Sequence, residues 1–155
     1  MGDVCGHKTS LLNLMHSDPR CLEHVKTQTE ELCLAAVLSD GLVLIYVLEK
    51  TPRICSAAVR QNGLALQYVP NQTDDICLTA VRQNGYALQF VKNQTELLCK
   101  SAILQNHHAL QYVKHKTQEL YSFAVLQNRE ALEYVPDVMK TQVLISCAQD
   151  LVDNL

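Results

Sequence analysis

A chain of 155 residues with 13 Lys and Arg against 16 Asp and Glu is long enough for one domain with an extended core. Its net charge of −3 argues against a dedicated nucleic-acid or membrane-surface binder, in which basic residues would be in excess. There is no apolar run of about 18 residues and no signal-peptide pattern, so an intracellular, cytoplasmic protein with no membrane span is expected.

The chain reads as a tandem array in three parts. Residues 1–28 form an atypical opening copy, 29–135 five copies of a 22-residue unit (the last one shortened), and 136–155 a C-terminal cap. A fixed period of this length marks a stacked-repeat protein. Counting from the threonine that opens each copy (Thr29, Thr51, Thr73, Thr95, Thr117), apolar residues recur at +3, +4, +7 and +8. Thr73 to Lys92 shows the unit, with Ile76, Cys77, Ala80 and Val81 in those slots. This spacing draws one stripe on an α-helix, where a strand would alternate with period 2. The threonine is placed to cap the helix N-terminus, and Pro52 suits its first position.

The first helix is expected to end at +11, at Asp40, Asn62, Asn84, Asn106 or Asn128. Gly41, Gly63 and Gly85 follow as turn residues. A second apolar set at +14, +15, +17 and +18 predicts a second α-helix of about two turns that buries the +17 tyrosines. The Asn or Asp would cap it. Two short amphipathic helices cannot bury both stripes alone, but stacked neighbours can, so the fold is an all-α solenoid of helix–turn–helix repeats. A leucine-rich repeat has a similar period, but its strand would bury +13, which here holds Leu42, Leu64, Tyr86, His108 and Glu130.

In the opening copy Leu11, Leu14 and Met15 fall on +4, +7 and +8, and Asp18 on +11. After Val135 the phase slips by two, and Thr141, Ile145 and Ala148 then match the 0, +4 and +7 slots. Four of the seven cysteines (Cys33, Cys55, Cys77, Cys99) share the buried +4 slot that Tyr121 takes in the last copy, so packing rather than disulfide bonding explains them.

Slots +9, +13 and +16 vary between copies and are the expected exposed positions. Partner contacts are therefore expected among Arg60, Arg82, Leu104, Leu126, Gln67, Gln89, Gln111, Tyr86 and His108. Neutral surface drift would give the same variability. Leu34, Leu38, Leu42 and Ile45 cluster in one copy and invite self-association, although packing on the opening copy also accounts for them. The paired amides Gln61-Asn62, Gln83-Asn84, Gln105-Asn106 and Gln127-Asn128 invite comparison with RNA-reading helical repeats. His107, His108 and His115 read as a surface cluster, since metal sites need three or four convergent ligands. No catalytic triad, acid pair or phosphate loop is present. The chain is expected to be neither an enzyme nor a cofactor or metal binder.

The run A-V-x-Q-N-G-x-A-L-x-Y-V-x-N-Q-T-x-x-I/L-C, at Ala58–Cys77 and again at Ala80–Cys99 with Phe90 in the tyrosine place, resembles a tandem repeat family catalogued as a domain of unknown function. Such repeats abound in giant viruses of amoebae and occur in some bacteria and protists. Over residues 14–135 the resemblance implies a small helical array, viral and intracellular in origin, and it carries no activity. The function expected on these grounds is a protein-interaction scaffold with an unidentified protein partner. The alternatives are a self-associating structural protein or a nucleic-acid-binding repeat.

Overall fold

The computed structural model describes the backbone of residues 4–153, with side chains for 11–150 and 152. Seven α-helices alternate with six short 3₁₀ helices: α1 (Val4–Ser17), η1 (Pro19–His24), α2 (Glu30–Ser39), η2 (Gly41–Tyr46), α3 (Pro52–Gln61), η3 (Gly63–Tyr68), α4 (Asp74–Gln83), η4 (Gly85–Phe90), α5 (Glu96–Gln105), η5 (His107–Tyr112), α6 (Gln118–Gln127), η6 (Arg129–Tyr134) and α7 (Asp137–Asp153). Each α-helix packs on the next and each 3₁₀ helix on the next, so the stack has an α layer and a 3₁₀ layer with the core between them. This is the expected all-α solenoid.

All five threonines cap their helices. Each Oγ1 accepts from the backbone N–H three residues on, at 3.2–3.4 Å. The +7 alanines Ala36, Ala58, Ala80, Ala102 and Ala124 are fully buried, and small residues there let successive helices approach closely.

The second helix of each unit departs from expectation, because it is 3₁₀ rather than α. Its ends close through three-residue bonds such as Ala65 N–H to Asn62 O (2.9 Å) and Val69 N–H to Leu66 O (3.1 Å). Two physical reasons favour this form. A 3₁₀ helix eclipses i and i+3, which stacks +14 over +17 and +15 over +18 on the core side. It also rises about 2.0 Å per residue against 1.5 Å, so a six-residue segment returns further along its ten-residue partner helix. The Asn/Asp at +11 does end one helix and cap the next. Asn62 Oδ1 accepts from Leu64 N–H at 3.0 Å, and Asp40, Asn84, Asn106 and Asn128 repeat the bond. Asp18 makes no such bond and takes the Cys21 thiol instead.

The glycines are not turn residues in the expected sense, since none has positive φ. They are points of contact. A Cβ on Gly63 would lie 2.4 Å from the Ala80 carbonyl oxygen of the next helix, and Gly41 and Gly85 face Ala58 and Ala102 in the same way.

The two ends also differ from expectation. In α1, Met15 is buried, but Leu11 and Leu14 are only partly covered. In α7, Thr141 lies inside the helix rather than at its cap, and Ile145 and Ala148 are exposed. Val143 and Cys147 are buried against α6 instead, with Met139 half-buried beside them. The helix begins at Asp137, five residues before a Thr141 cap would start it, and Val143 and Cys147 keep the +4 and +8 slots of the unbroken 22-residue register, so the phase does not slip. Residues 1–3, Asn154 and Leu155 lie outside the described residues.

Candidate interaction surface

The glutamines that recur at +10 and just before the capping threonines bridge the seams between units. Gln61 accepts at Oε1 from Gly41 N–H (2.7 Å) and donates from Nε2 to Ser39 O (3.2 Å), clamping the end of the preceding unit. Gln83 does the same to Gly63 (2.6 Å) and Gln61 O (3.3 Å), and Gln105 accepts from Gly85. A second ladder runs along the opposite rim. Gln28 accepts from Leu48 N–H and donates to Tyr46 O, both at 2.9 Å. Gln72 holds Phe90 O and Lys92 N–H, and Gln94 holds Tyr112 O and Lys114 N–H, in the same pattern one unit ahead. The Cys33, Cys77 and Cys99 thiols point weakly at these glutamine oxygens, 3.6–3.9 Å away.

Sequence reasoning missed both ladders. The +10 glutamines suggested base reading, but Gln61 and Gln83 each spend both ends of the amide on the neighbouring unit. Gln72 and Gln94 sit in N-Q-T triplets directly before the capping threonines Thr73 and Thr95. Their recurrence one unit apart was visible, but it does not separate them from the exposed Gln67, Gln89 and Gln111, which recur at the same interval.

The six described cysteines are free thiols. Cys33, Cys55, Cys77 and Cys99 are buried, and burial raises each thiol above its ordinary pKa. The thiolate, which is the reactive form, is therefore disfavoured. Lysines at the same rim cap carbonyls: Lys92 Nζ donates to Pro70 O, Lys114 Nζ to Lys92 O, and Lys116 Nζ to Val113 O, all at 2.9 Å.

The histidines are not one surface cluster. His107 takes the glycine slot and is half-buried, with its ring 4.0 Å from that of His108, whereas His115 is exposed. Asn128 Nδ2 donates to His107 Nδ1 (3.0 Å), which places the neutral ring's proton on Nε2, 3.5 Å from the Glu130 carboxylate. His108 Nδ1 lies 2.6 Å from Tyr134 Oη. The Glu133 carboxylate, hydrogen-bonded to that hydroxyl, together with burial pushes the Tyr134 pKa up to about 12. No group of three His, Cys, Asp or Glu among the described residues is placed to hold a metal ion.

The outward residues divide between two faces. Arg60, Arg82, Leu104 and Leu126 are exposed, and +9 lies opposite the buried stripe of each α-helix. They form one row with Leu38 across α2 to α6. Gln67, Gln89 and Gln111 are exposed on the 3₁₀ layer, where Gln67 and Gln89 donate to Leu64 O and Tyr86 O of their own turns. Slot +13 is not fully exposed as expected. Tyr86 is half-buried, edge-on to Tyr112 at 5.9 Å, and His108 packs against Tyr134 at 5.8 Å. The +17 aromatics are likewise half-buried rather than buried, and Tyr112 and Tyr134 are partly covered by Tyr86 and His108, the +13 residues of the preceding units. The nine sequence-derived candidates therefore do not form one surface. The Leu34, Leu38, Leu42 and Ile45 set also divides, with Leu34 and Leu38 on α2, Leu42 and Ile45 on η2, and only Leu38 and Ile45 exposed.

Among the described residues no helix is long and apolar enough to cross a membrane. A model of the family described as Domain of unknown function (DUF4116) matches residues 52–94, from the start of α3 to the rim glutamine Gln94. Over that stretch the chain is similar to that family. No curated protein and no solved structure matches.

Proposed function

We propose that this chain is a non-enzymatic scaffold that binds a protein partner through its α face. One observation supports the reading. The ladder glutamines are engaged between units and the exposed +16 slot is constant through Gln67, Gln89 and Gln111, which leaves +9 as the fully exposed row whose chemistry changes from copy to copy, with Leu38 and Leu104 each 60% exposed. Exposed leucines in a row gain nothing from water and gain when covered, at about 25 cal/mol per Å² of apolar surface. The resemblance of the repeats to those of giant viruses extends the proposal to a viral source acting in a host cytoplasm.

The test is affinity capture from host-cell lysate, with and without nuclease, read by mass spectrometry. A nuclease-resistant protein that is captured by the wild type and lost with R60E/R82E supports the reading. Loss of all signal on nuclease treatment refutes it in favour of nucleic acid.

Self-association is a second reading, favoured by Leu48 (73% exposed) beside Ile45 at the first seam and by Val138 and Ile145 on α7. Light scattering at high concentration separates the two, because a monomer leaves the +9 row free for a different protein.

A further inference from the structure

Resting on that reading, we propose that the partner presents an acidic segment followed by leucine-like residues, laid along the +9 row from α3 to α6. The row reads Arg60, Arg82, Leu104, Leu126, one residue per helix and all on the solvent face.

The two arginines carry the electrostatic part. Seven other cations have structural work: Lys50, Lys92, Lys114 and Lys116 bind backbone carbonyls, Arg53 pairs with Glu30, Lys100 with Glu96 and Lys140 with Asp137. Arg20, Lys26 and Arg129 are as free as the +9 arginines but stand outside the row. Arg60 and Arg82 make no ion pair and no hydrogen bond among the described residues. Each lies in the last turn of its helix. Interaction with the helix dipole alone would suit that placement, but it would not explain why the same slot in the neighbouring helices exposes leucine. A guanidinium presents a planar fork that matches a carboxylate through two hydrogen bonds, so carboxylates are the fitting occupants.

Spacing gives the proposal its form. Packed helices stand about 8–10 Å apart, so the row offers two cationic and then two apolar contacts at that interval. An extended polyproline-type segment advances about 3.1 Å per residue and meets the row every third residue. A helical segment, at about 1.5 Å per residue and about 3.6 residues per turn, brings the same face back every seventh residue, about 10.5 Å on, at the upper end of that interval. Either way, two acids precede two apolar residues at one constant spacing. A uniformly acidic chain would leave Leu104 and Leu126 uncovered. A nucleic-acid-like polyanion would satisfy the arginines and leave the leucines uncovered, and a basic chain would satisfy neither part of the row.

The probe is a display library of random 24-residue peptides, selected separately against the full wild-type chain, R60E/R82E and L104S/L126S, with circular dichroism confirming that each variant folds. Wild type is expected to enrich peptides with two Asp or Glu followed by Leu-class residues at a three- or seven-residue period. Binding of those peptides to R60E/R82E should fall at least tenfold, and raising the salt should weaken it for wild type. Enriched peptides that lack acids, or that bind R60E/R82E unchanged, overturn the proposed partner chemistry while leaving a peptide-binding scaffold in place. Failure to enrich any peptide, on any of the three folded chains, overturns both this proposal and the scaffold reading.

Discussion

Replacing Gly63 by alanine is the sharpest test of how the units are joined. The added Cβ would sit 2.4 Å from Ala80 O, about 1 Å inside ordinary van der Waals contact. That oxygen cannot turn away, because it belongs to α4 and accepts from Asn84 N–H at 2.9 Å. The added methyl also meets Gln83 Oε1 at 2.9 Å, the atom that accepts from Gly63 N–H. Backbone conformation is not at issue, since Gly63 does not have positive φ. Relief therefore requires η3 and α4 to separate. Overpacking of this kind costs about 1–3 kcal/mol. Leaving the buried Gly63 N–H without its acceptor adds about 1–3 kcal/mol. G63A should thus lose about 2–6 kcal/mol in urea unfolding, and Q83A, which removes only the clamp, about 1–3 kcal/mol. R129A, at the same slot of the last unit, should stay within about 0.5 kcal/mol of wild type, since Arg129 is exposed. A G63A chain as stable as wild type, or less affected than Q83A, would refute the contact argument.

Other consequences can be measured directly. A80L should lose about 1–3 kcal/mol by overpacking a fully buried slot, while T79L, at a half-buried one, should be milder; equal losses in thermal melts would mean that the stripe is misplaced. Cys33, Cys55, Cys77 and Cys99 should react with a disulfide reagent at pH 8 only as fast as the chain opens, and rapid modification of the folded protein would contradict their burial. In an alkaline titration followed at 295 nm, Tyr134 should ionise near its raised value of about 12, and Y134F should remove that step. Because the fold holds the neutral hydroxyl, the associated stability is present below pH 10 and is lost as pH rises towards 12; a single transition of all tyrosines near 10 would contradict the Glu133 contact.

The α layer was legible in the sequence because its signals are local. Thr29 to Thr117 cap within one turn, and the stripe they begin, such as Ile76, Cys77, Ala80 and Val81, repeats with helical spacing. The 3₁₀ layer was legible as apolar slots but not as a helix type, since +14, +15, +17 and +18 suit either form and the choice depends on how far the chain must travel back. The glutamine ladders were hidden because each bond joins residues 18–22 apart, and sequence alone does not show which seam an amide faces. The phase of α7 was misread for a related reason: Thr141 resembles the capping threonines, but Pro136 and Asp137 start the helix first. The division of the nine candidate residues between two faces follows from packing the two layers back to back, which no single helix pattern displays.

The account's central claim is that the α face rather than the 3₁₀ face receives the partner. The direct test is the affinity of one captured partner for wild type, R60E/R82E and Q67E/Q89E/Q111E, measured by titration calorimetry on folded chains. A loss of tenfold or more with R60E/R82E and near-unchanged binding with the triple glutamine variant is the predicted result. The reverse pattern would contradict the account and place recognition on the 3₁₀ layer.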